Sequence, residues 1–384
     1  METIAAGRAL VDVLKAEGVR LVFGMPGGHV LGIYDALYDS PEIRHVLVRH
    51  EHAAASMAAA TAQLTGERGV CLVTAGPGCT NLLTGIAEAY VGCLPIVILS
   101  GRGATATAHR GAAQEIATDR VFAPVTKWSV RVDRADQIVD VLRQAFAIAR
   151  SGKPGPVLVD LPRDLLDSQV PARDYITVGP PARLRAQESD IAAAAAALVA
   201  AERAILIAGG GTIASDASAQ VRALAEALAI PVLTSLAGRG AISDDHPLSA
   251  GGLGAHRTRV SKQLLADADV VLGLGFRFEE METTWRPGFV PAPDATYIQV
   301  DIDAAEIGRS VPAQLGIVGD VRTVLDQLLA TIASGRRALA PGAWAEHPRT
   351  AALVAEMDGL EAEVDGLAAG EQRPMHPLRP IRAR

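Results

Sequence analysis

Short aliphatic runs alternate with helical periods along this chain, and that alternation leaves few folds open. Runs at residues 20–23, 46–49, 70–74, 96–99 and 157–160 are separated by helical patterns at 4–17, 31–38, 51–65, 80–90 and 136–150. A strand buried on both faces reads as an unbroken aliphatic run, and parallel strands need a long crossover between them. The pattern predicts a doubly wound α/β fold with a parallel sheet. It recurs in kind further on, with helices at 190–201, 217–228, 257–266 and 321–334 and strands at 204–208, 232–234, 270–274, 297–301 and 317–318. No tandem repeat links the two halves. Pro162, Pro171, Pro180 and Pro181 interrupt the first pattern, and a Pro-, Gly- and Ala-rich passage from Gly335 to Trp344 ends the second, before a short helix at 350–367. The expected organisation is two doubly wound parallel-sheet domains at 1–170 and 189–335, a linker at 171–188, and a linker and stub at 336–384.

A length of 384 residues suits two or three domains. Hydrophobic residues make up 49% of the chain but aromatics only 4%, so the cores must be built from Ala, Val, Leu and Ile, as in helix-covered parallel sheets. A net charge of -7 with no basic stripe argues against a nucleic-acid partner. Cys71, Cys79 and Cys93 are sparse, odd in number and lack metal-ligand spacing, which points to a reducing cytoplasm. The start, Met1-Glu2-Thr3-Ile4, has neither the basic end nor the apolar core of a signal peptide. No apolar stretch has the character of a membrane span; residues 191–201 are apolar but Ala-rich and short, as in a packed helix.

Two strand-to-helix turns carry the candidate chemistry. In Val48-Arg49-His50-Glu51-His52-Ala53-Ala54-Ala55-Ser56-Met57-Ala58 a carboxylate stands where a strand turns into an Ala-rich helix. Thr74-Ala75-Gly76-Pro77-Gly78-Cys79-Thr80-Asn81 is a glycine turn opening the next helix. Its glycines remove bulk where a ring must approach backbone, and Asn81 can contact a ligand or cap the turn. Taken alone, Glu51 reads as an acidic residue favoured by the helix macrodipole. His50 and His52 flank it but point apart, which suits structural roles rather than a metal site. Cys79 stands at a helix N-terminus, where thiol pKa falls, yet no His–acid partner accompanies it, so buried packing is expected. Gly209-Gly210-Gly211-Thr212-Ile213-Ala214 fits the dinucleotide pattern, but the next strand, Val232-Leu233-Thr234-Ser235, lacks the acidic residue that NAD binding wants.

Further segments extend these turns into a family pattern. They are Phe23-Gly24-Met25-Pro26-Gly27-Gly28, Arg49-His50-Glu51, Ala75-Gly76-Pro77-Gly78 with Asn81, and Ala112-Ala113-Gln114-Glu115. Pro154-Gly155-Pro156-Val157-Leu158-Val159-Asp160-Leu161-Pro162, Gly273-Leu274-Gly275-Phe276-Arg277-Phe278 and Val300-Asp301-Ile302-Asp303 follow. In this order, over nearly the whole chain, they resemble the large subunit of acetolactate synthase and its thiamine diphosphate (ThDP)-dependent relatives. The resemblance implies that residues 1–170 bind the aminopyrimidine of ThDP and that 189–335 form the family's central domain. It makes Gly27, Gly28, Glu51, Pro77 and Asn81 the expected cofactor-binding residues, and Glu51, His29 and Gln114 the expected catalytic ones.

By the same resemblance, Glu51 is the carboxyl bonded to N1′ of the pyrimidine; it favours the imino tautomer, whose nitrogen takes the C2 proton. Apolar surroundings suit such a carboxyl, because burial keeps a proton shareable near neutral pH. Gln114 stands for a loop glutamine that reaches towards cofactor and substrate. His29 is a departure, since acetolactate synthases usually carry a small residue there. It is similar to a loop histidine of the related benzaldehyde lyase that handles substrate hydroxyl protons, a task for a group titrating near about 6.5. Ala113 replaces the family's pocket Phe and implies a roomier site. Arg277 and Phe278, with His256, fit the family's FAD or nucleotide pattern. Arg257 and Met281 replace its Gly and Arg, which leaves an empty or ADP-binding domain open.

The family's third domain holds the diphosphate through Mg²⁺ with a Gly-Asp-Gly run, which these residues lack; Met375-His376-Pro377-Leu378 is similar to the approach to it. The expectation is a ThDP-dependent carboligase or 2-oxo-acid decarboxylase, a lyase or transferase, active with a diphosphate-binding domain supplied from elsewhere. It would use ThDP, Mg²⁺ through that domain and, as an option, FAD, on a small 2-oxo acid or aldehyde. It would work as a homodimer or tetramer, or with a separate diphosphate-domain chain, and away from nucleic acid and membrane. The alternative is a truncated fragment or non-catalytic partner that keeps the fold. A nicotinamide oxidoreductase is disfavoured by the missing acidic residue.

Overall fold

A computed structural model of the chain describes residues 2–175, 177, 179, 182–283, 288–335, 338–369 and 379, apart from the side chain of His256. The fold divides into two compact units, Met1–Pro181 and Ala182–Arg384. Among the described residues no helix is long and apolar enough to cross a membrane.

In the first unit β1 (Thr3–Ala5) pairs antiparallel with β8 (Gln169–Pro171) and ties the two ends together. Between them run β2 (Leu21–Gly24), β3 (Arg44–Leu47), β4 (Gly69–Val73), β5 (Ile96–Arg102), β6 (Trp128–Arg131) and β7 (Val157–Pro162). These six form one parallel sheet in the order β3-β2-β4-β5-β7-β6. Alternate side chains go to opposite faces. Val70, Leu72, Val97, Leu99, Val157 and Val159 pack with the helices Ala6–Ala16 and Ile138–Arg150. Cys71, Val73, Ile96, Ile98 and Leu158 pack with Glu51–Thr65 and Leu83–Val91. Both faces are apolar because both are covered, which is why the central strands read as unbroken aliphatic runs. Small residues bring one helix close: a Cβ on Gly69 would stand 2.3 Å from the Ala58 carbonyl oxygen.

The strand order fixes where a ligand can bind. From β2 the chain steps outward to β3, then returns to the other side of β2 as β4. Such a reversal opens a crevice at the carboxyl ends of the two diverging strands. Here those are the ends of β2 and β4.

The second unit repeats the plan with β9 (Ala204–Ala208), β10 (Val232–Thr234), β11 (Ser249–Gly252), β12 (Val270–Leu274), β13 (Thr296–Asp301) and β14 (Leu315–Val318). The order is β11-β10-β9-β12-β13-β14, all parallel. Helices Glu188–Ala200, Ser218–Leu228 and Val321–Ser334 cover one face. Arg259–Asp267 and Leu353 of Pro348–Ala369 help cover the other.

Several elements differ from the expected ones. β6 and β11 carry too few aliphatic residues to stand out. The helix expected at 80–90 is two, Pro77–Thr80 and Leu83–Val91. The short helix expected at 350–367 spans 22 residues and is held to Arg259 through Glu356 and Glu363. Before it, Trp344 stacks on His246 at 5.0 Å between ring centroids. Pro180, Pro181 and the segment Met375-His376-Pro377-Leu378 lie outside the described residues.

Candidate functional site

Four loops meet at the crevice of the first sheet. β2 hands over to Met25-Pro26-Gly27-Gly28-His29, β3 to Glu51, β4 to Thr74 and the glycine turn, and β5 to the loop that bears Gln114.

Glu51 is the first residue of its helix, and His50 caps that helix by accepting the His52 backbone N–H on Nδ1 at 3.2 Å. The cap accounts for His50, and His52 is exposed. Among the described residues no group of three or more His, Cys, Asp or Glu is arranged to hold a metal ion. Glu51 is only 6% exposed. Its Oε2 accepts a hydrogen bond from Asn81 Nδ2 at 2.8 Å. Its Oε1 accepts none among the described residues and faces Gly78. A Cβ on Gly78 would stand 3.4 Å from Oε1 and 2.6 Å from Thr74 Cγ2. Gly27 is constrained in the same way, since its Cβ would lie 2.4 Å from Thr74 Cβ, whereas Gly28 faces open space. Pro77 opens the one-turn helix Pro77–Thr80, where a missing N–H costs nothing. The arrangement is a buried carboxyl with one oxygen anchored and the other beside a cradle that side chains would fill.

His29 is half-buried, with Nδ1 3.1 Å from Thr74 Oγ1. Burial, and then the positive charge of Arg163, hold its imidazole below the usual pKa. Both effects favour the neutral ring over the imidazolium. No residue-type motif marks Thr74 in the sequence. Its signal is positional, as the residue joining the switch-point strand to the glycine turn.

Gln114 is exposed on a backbone with φ of 62°. A Cβ on Gly76, itself at φ 57°, would stand 2.4 Å from the Gln114 carbonyl oxygen. The glycine turn and the Gln114 loop are packed backbone to backbone, and Ala113 beside them is exposed.

Cys79 is fully buried, and burial pushes its thiol up to about 12. A single helical turn supplies too little dipole to oppose that. Nearby, Asp160 is fully buried and accepts from Arg102 Nη1 at 2.9 Å. Burial raises this carboxyl's pKa to about 6, against the pull of Arg102. The sequence signal of this pair is a charged residue in each of two neighbouring strands, Arg102 closing β5 and Asp160 within β7.

In the second unit the glycine run has a packing explanation. A Cβ on Gly209 would lie 2.1 Å from the Gly275 carbonyl oxygen, and one on Gly211 2.7 Å from Gly275 Cα. Arg277, expected to face a flavin or nucleotide, pairs with Glu279 and lies 3.9 Å from Glu306. Phe278 is a core residue, edge-to-face with Phe276 and Tyr297 at 4.5 and 5.2 Å. Arg257 sits over the Phe289 ring at 3.2 Å, and Met281 is exposed. The side chain of His256 lies outside the description.

A cavity of about 390 Å³ between Glu17, Arg20, Arg68 and Arg150 lies at the opposite, amino end of the first sheet. Helices end there, and arginines answer their free carbonyls, as where Arg68 donates to the Glu17 carbonyl at 2.5 Å.

Comparison with known proteins gives two family matches. The thiamine pyrophosphate enzyme N-terminal TPP binding domain matches residues 4–121, and the thiamine pyrophosphate enzyme central domain matches residues 191–328. The probable acetolactate synthase large subunit of Methanocaldococcus jannaschii is 41% identical over 337 residues, 84% of this chain and 55% of the relative. The acetolactate synthase isozyme 3 large subunit of Escherichia coli is 41% identical over 342 residues, 86% of this chain and 58% of the relative. The acetolactate synthase large subunit of Corynebacterium glutamicum is 38% identical over 335 residues, 86% and 53% respectively. The chain spans a little over half the length of these relatives.

Proposed function

We propose that this chain, which belongs to the thiamine pyrophosphate enzyme family, supplies the pyrimidine-binding half of a carboligase or 2-oxo-acid decarboxylase of the acetolactate synthase type. Thiamine pyrophosphate and ThDP are the same compound. One observation carries the reading: the Glu51 carboxyl is buried at a switch-point crevice, with Oε2 held by Asn81 and Oε1 beside the Gly78 cradle. Residues 1–170 are then the pyrimidine-binding domain and 189–335 the central domain, joined through 171–188.

When bound, ThDP supplies a carbon nucleophile for addition to a carbonyl. Glu51 shares a proton with a pyrimidine nitrogen through Oε1, and Asn81 keeps the carboxyl in that orientation. Gly78 keeps a side chain out of the ring's place, Gly76 lets the Gln114 loop pack beside it, and Gly27, Gly28 and Pro77 shape its border. His29, favoured as the neutral ring and fixed by Thr74, moves protons at a substrate hydroxyl; the Gln114 amide contacts the same small 2-oxo acid or aldehyde. Mg²⁺ and the diphosphate contacts are assigned to a diphosphate-binding domain outside these residues, in a homodimer or tetramer or on a separate chain. Met57 and Leu64, 42% and 85% exposed on the Glu51 helix, suit burial by such a partner. The free thiols Cys71, Cys79 and Cys93 fit the cytoplasm. No step passes through a flavin, because Arg277 is turned to acidic partners and the glycine run to Gly275.

Titration calorimetry with ThDP and Mg²⁺, on this chain alone and mixed with a diphosphate-binding domain, tests the reading. Saturable binding in the mixture, with 2-oxo-acid turnover lost in Glu51→Gln, is the expected result. NAD binding in place of ThDP, or no ThDP uptake in any mixture, would overturn it.

A further inference from the structure

We infer that Glu115 is a positioning residue for Gln114, and that residues 103–117 form a preformed wall of the site rather than a lid. The inference rests on the reading of Gln114 as a substrate contact. A connection this long is usually mobile unless something ties it down. Here it is tied at each level.

At its base, Arg102 is anchored by the buried Asp160 on the neighbouring strand. On its first flank, Thr105 donates its backbone N–H to Asp164 Oδ1 at 2.9 Å and its hydroxyl to Asp164 Oδ2. Asp164 stands just beyond the end of β7, so the loop is pinned to the rim of the sheet. Higher up, Glu115 Oε1 accepts the His109 backbone N–H at 2.9 Å, while the Glu115 N–H donates to the Ala112 carbonyl at 3.2 Å. One carboxylate therefore closes residues 109–115 into a ring.

That ring holds conformations the chain would not choose. His109, Gly111 and Gln114 have φ of 62°, 75° and 62°. A left-handed backbone is disfavoured for any residue with a Cβ, so His109 and Gln114 need outside contacts to stay there. Glu115 supplies them from within the loop, and Gly76 supplies them from across the crevice by letting the Gln114 carbonyl approach. Gln114 is gripped at its backbone while its side chain stays exposed. Such pre-organisation suits a group that must meet a small substrate without ordering a loop first.

Amide hydrogen exchange on the full chain tests the ring directly. Glu115→Ala should raise exchange across residues 105–115 by about tenfold or more. Glu115→Gln keeps an oxygen that can accept the His109 N–H and should stay close to wild type. Wild-type exchange in Glu115→Ala, or equal damage in both variants, would overturn the inference. In the mixture with a diphosphate-binding domain, Glu115→Ala should lower kcat/KM in the wild type but not in a Gln114→Ala background. Additive losses would remove the link through Gln114. The exchange measurement needs no ThDP, so exchange as expected with no turnover in the mixture would sustain the ring and count only against the proposed function.

Discussion

A methyl group at residue 78 would crowd Thr74 Cγ2 at 2.6 Å and come within 3.4 Å of Glu51 Oε1. Gly78→Ala should therefore lower stability by about 1–3 kcal/mol, as overpacking does, and also block the cradle. A thermal melt paired with ThDP titration in the mixture checks this; an unchanged ThDP affinity would show that the cradle is not the ring's place. His29 offers a second test. Burial and Arg163 lower its pKa, so Arg163→Gln should move the imidazole midpoint upward, though not fully, because burial remains. Imidazole shifts followed by NMR against pH would reveal it, and an unmoved midpoint would remove Arg163 from the site. The depressed value means that protonating His29 opposes folding, so this contribution to stability falls as pH drops below about 6.5. Glu51, Asn81 and Gly78 could be read from the sequence because each sits at a fixed offset from a strand end. The His29–Thr74 bond and the Arg102–Asp160 pair could not, since their partners are 45 and 58 residues apart and meet only through the sheet register.

Secondary elements were legible in proportion to how fully they are covered. β4, β5, β7, β9 and β12 lie inside sheets with helices on both faces, and their aliphatic runs announce them. β6 closes one sheet with the half-buried Trp128-Ser129-Val130 and the exposed Arg131, and β11 closes the other with Ser249-Ala250-Gly251-Gly252, too small and polar to signal a strand. Helix breaks were hidden for a similar reason. Residues 80–90 carry a helical period, and nothing in Asn81-Leu82 announces that the helix is interrupted between Thr80 and Leu83. At this scale the loop 103–117 makes a pH prediction. Burial acts to raise the Asp164 pKa, but the bonds from Thr105 outweigh it and the net shift is downward. The His109 N–H lowers Glu115 more directly. Carboxyls depressed in the folded state stabilise above the unfolded pKa and lose that effect as pH falls through the folded value. The Thr105 and His109 amide resonances should therefore hold steady at neutral pH and titrate below the ordinary values of an aspartate and a glutamate respectively. Midpoints at or above the ordinary carboxyl range would contradict the proposed ties.

For the whole molecule, a resemblance spread over many short segments was more informative than any single motif. The glycine run at 209–211 shows why. Alone it suggested a dinucleotide; in the fold it lets two βα turns pack together. The Glu51 turn, equally weak alone, gains weight because strand order puts it in the same crevice as the Gly76–Gly78 turn. The proposed chemistry also calls for diphosphate contacts, and these residues carry no Gly-Asp-Gly run. The most direct measurement is the rate at which the C2 proton of ThDP exchanges in D₂O with this chain, Mg²⁺ and a diphosphate-binding domain present. Acceleration that falls by about 10²–10⁴ in Glu51→Gln is the expected result for a carboxyl in general acid–base catalysis. Exchange equally fast in wild type and Glu51→Gln would contradict the account.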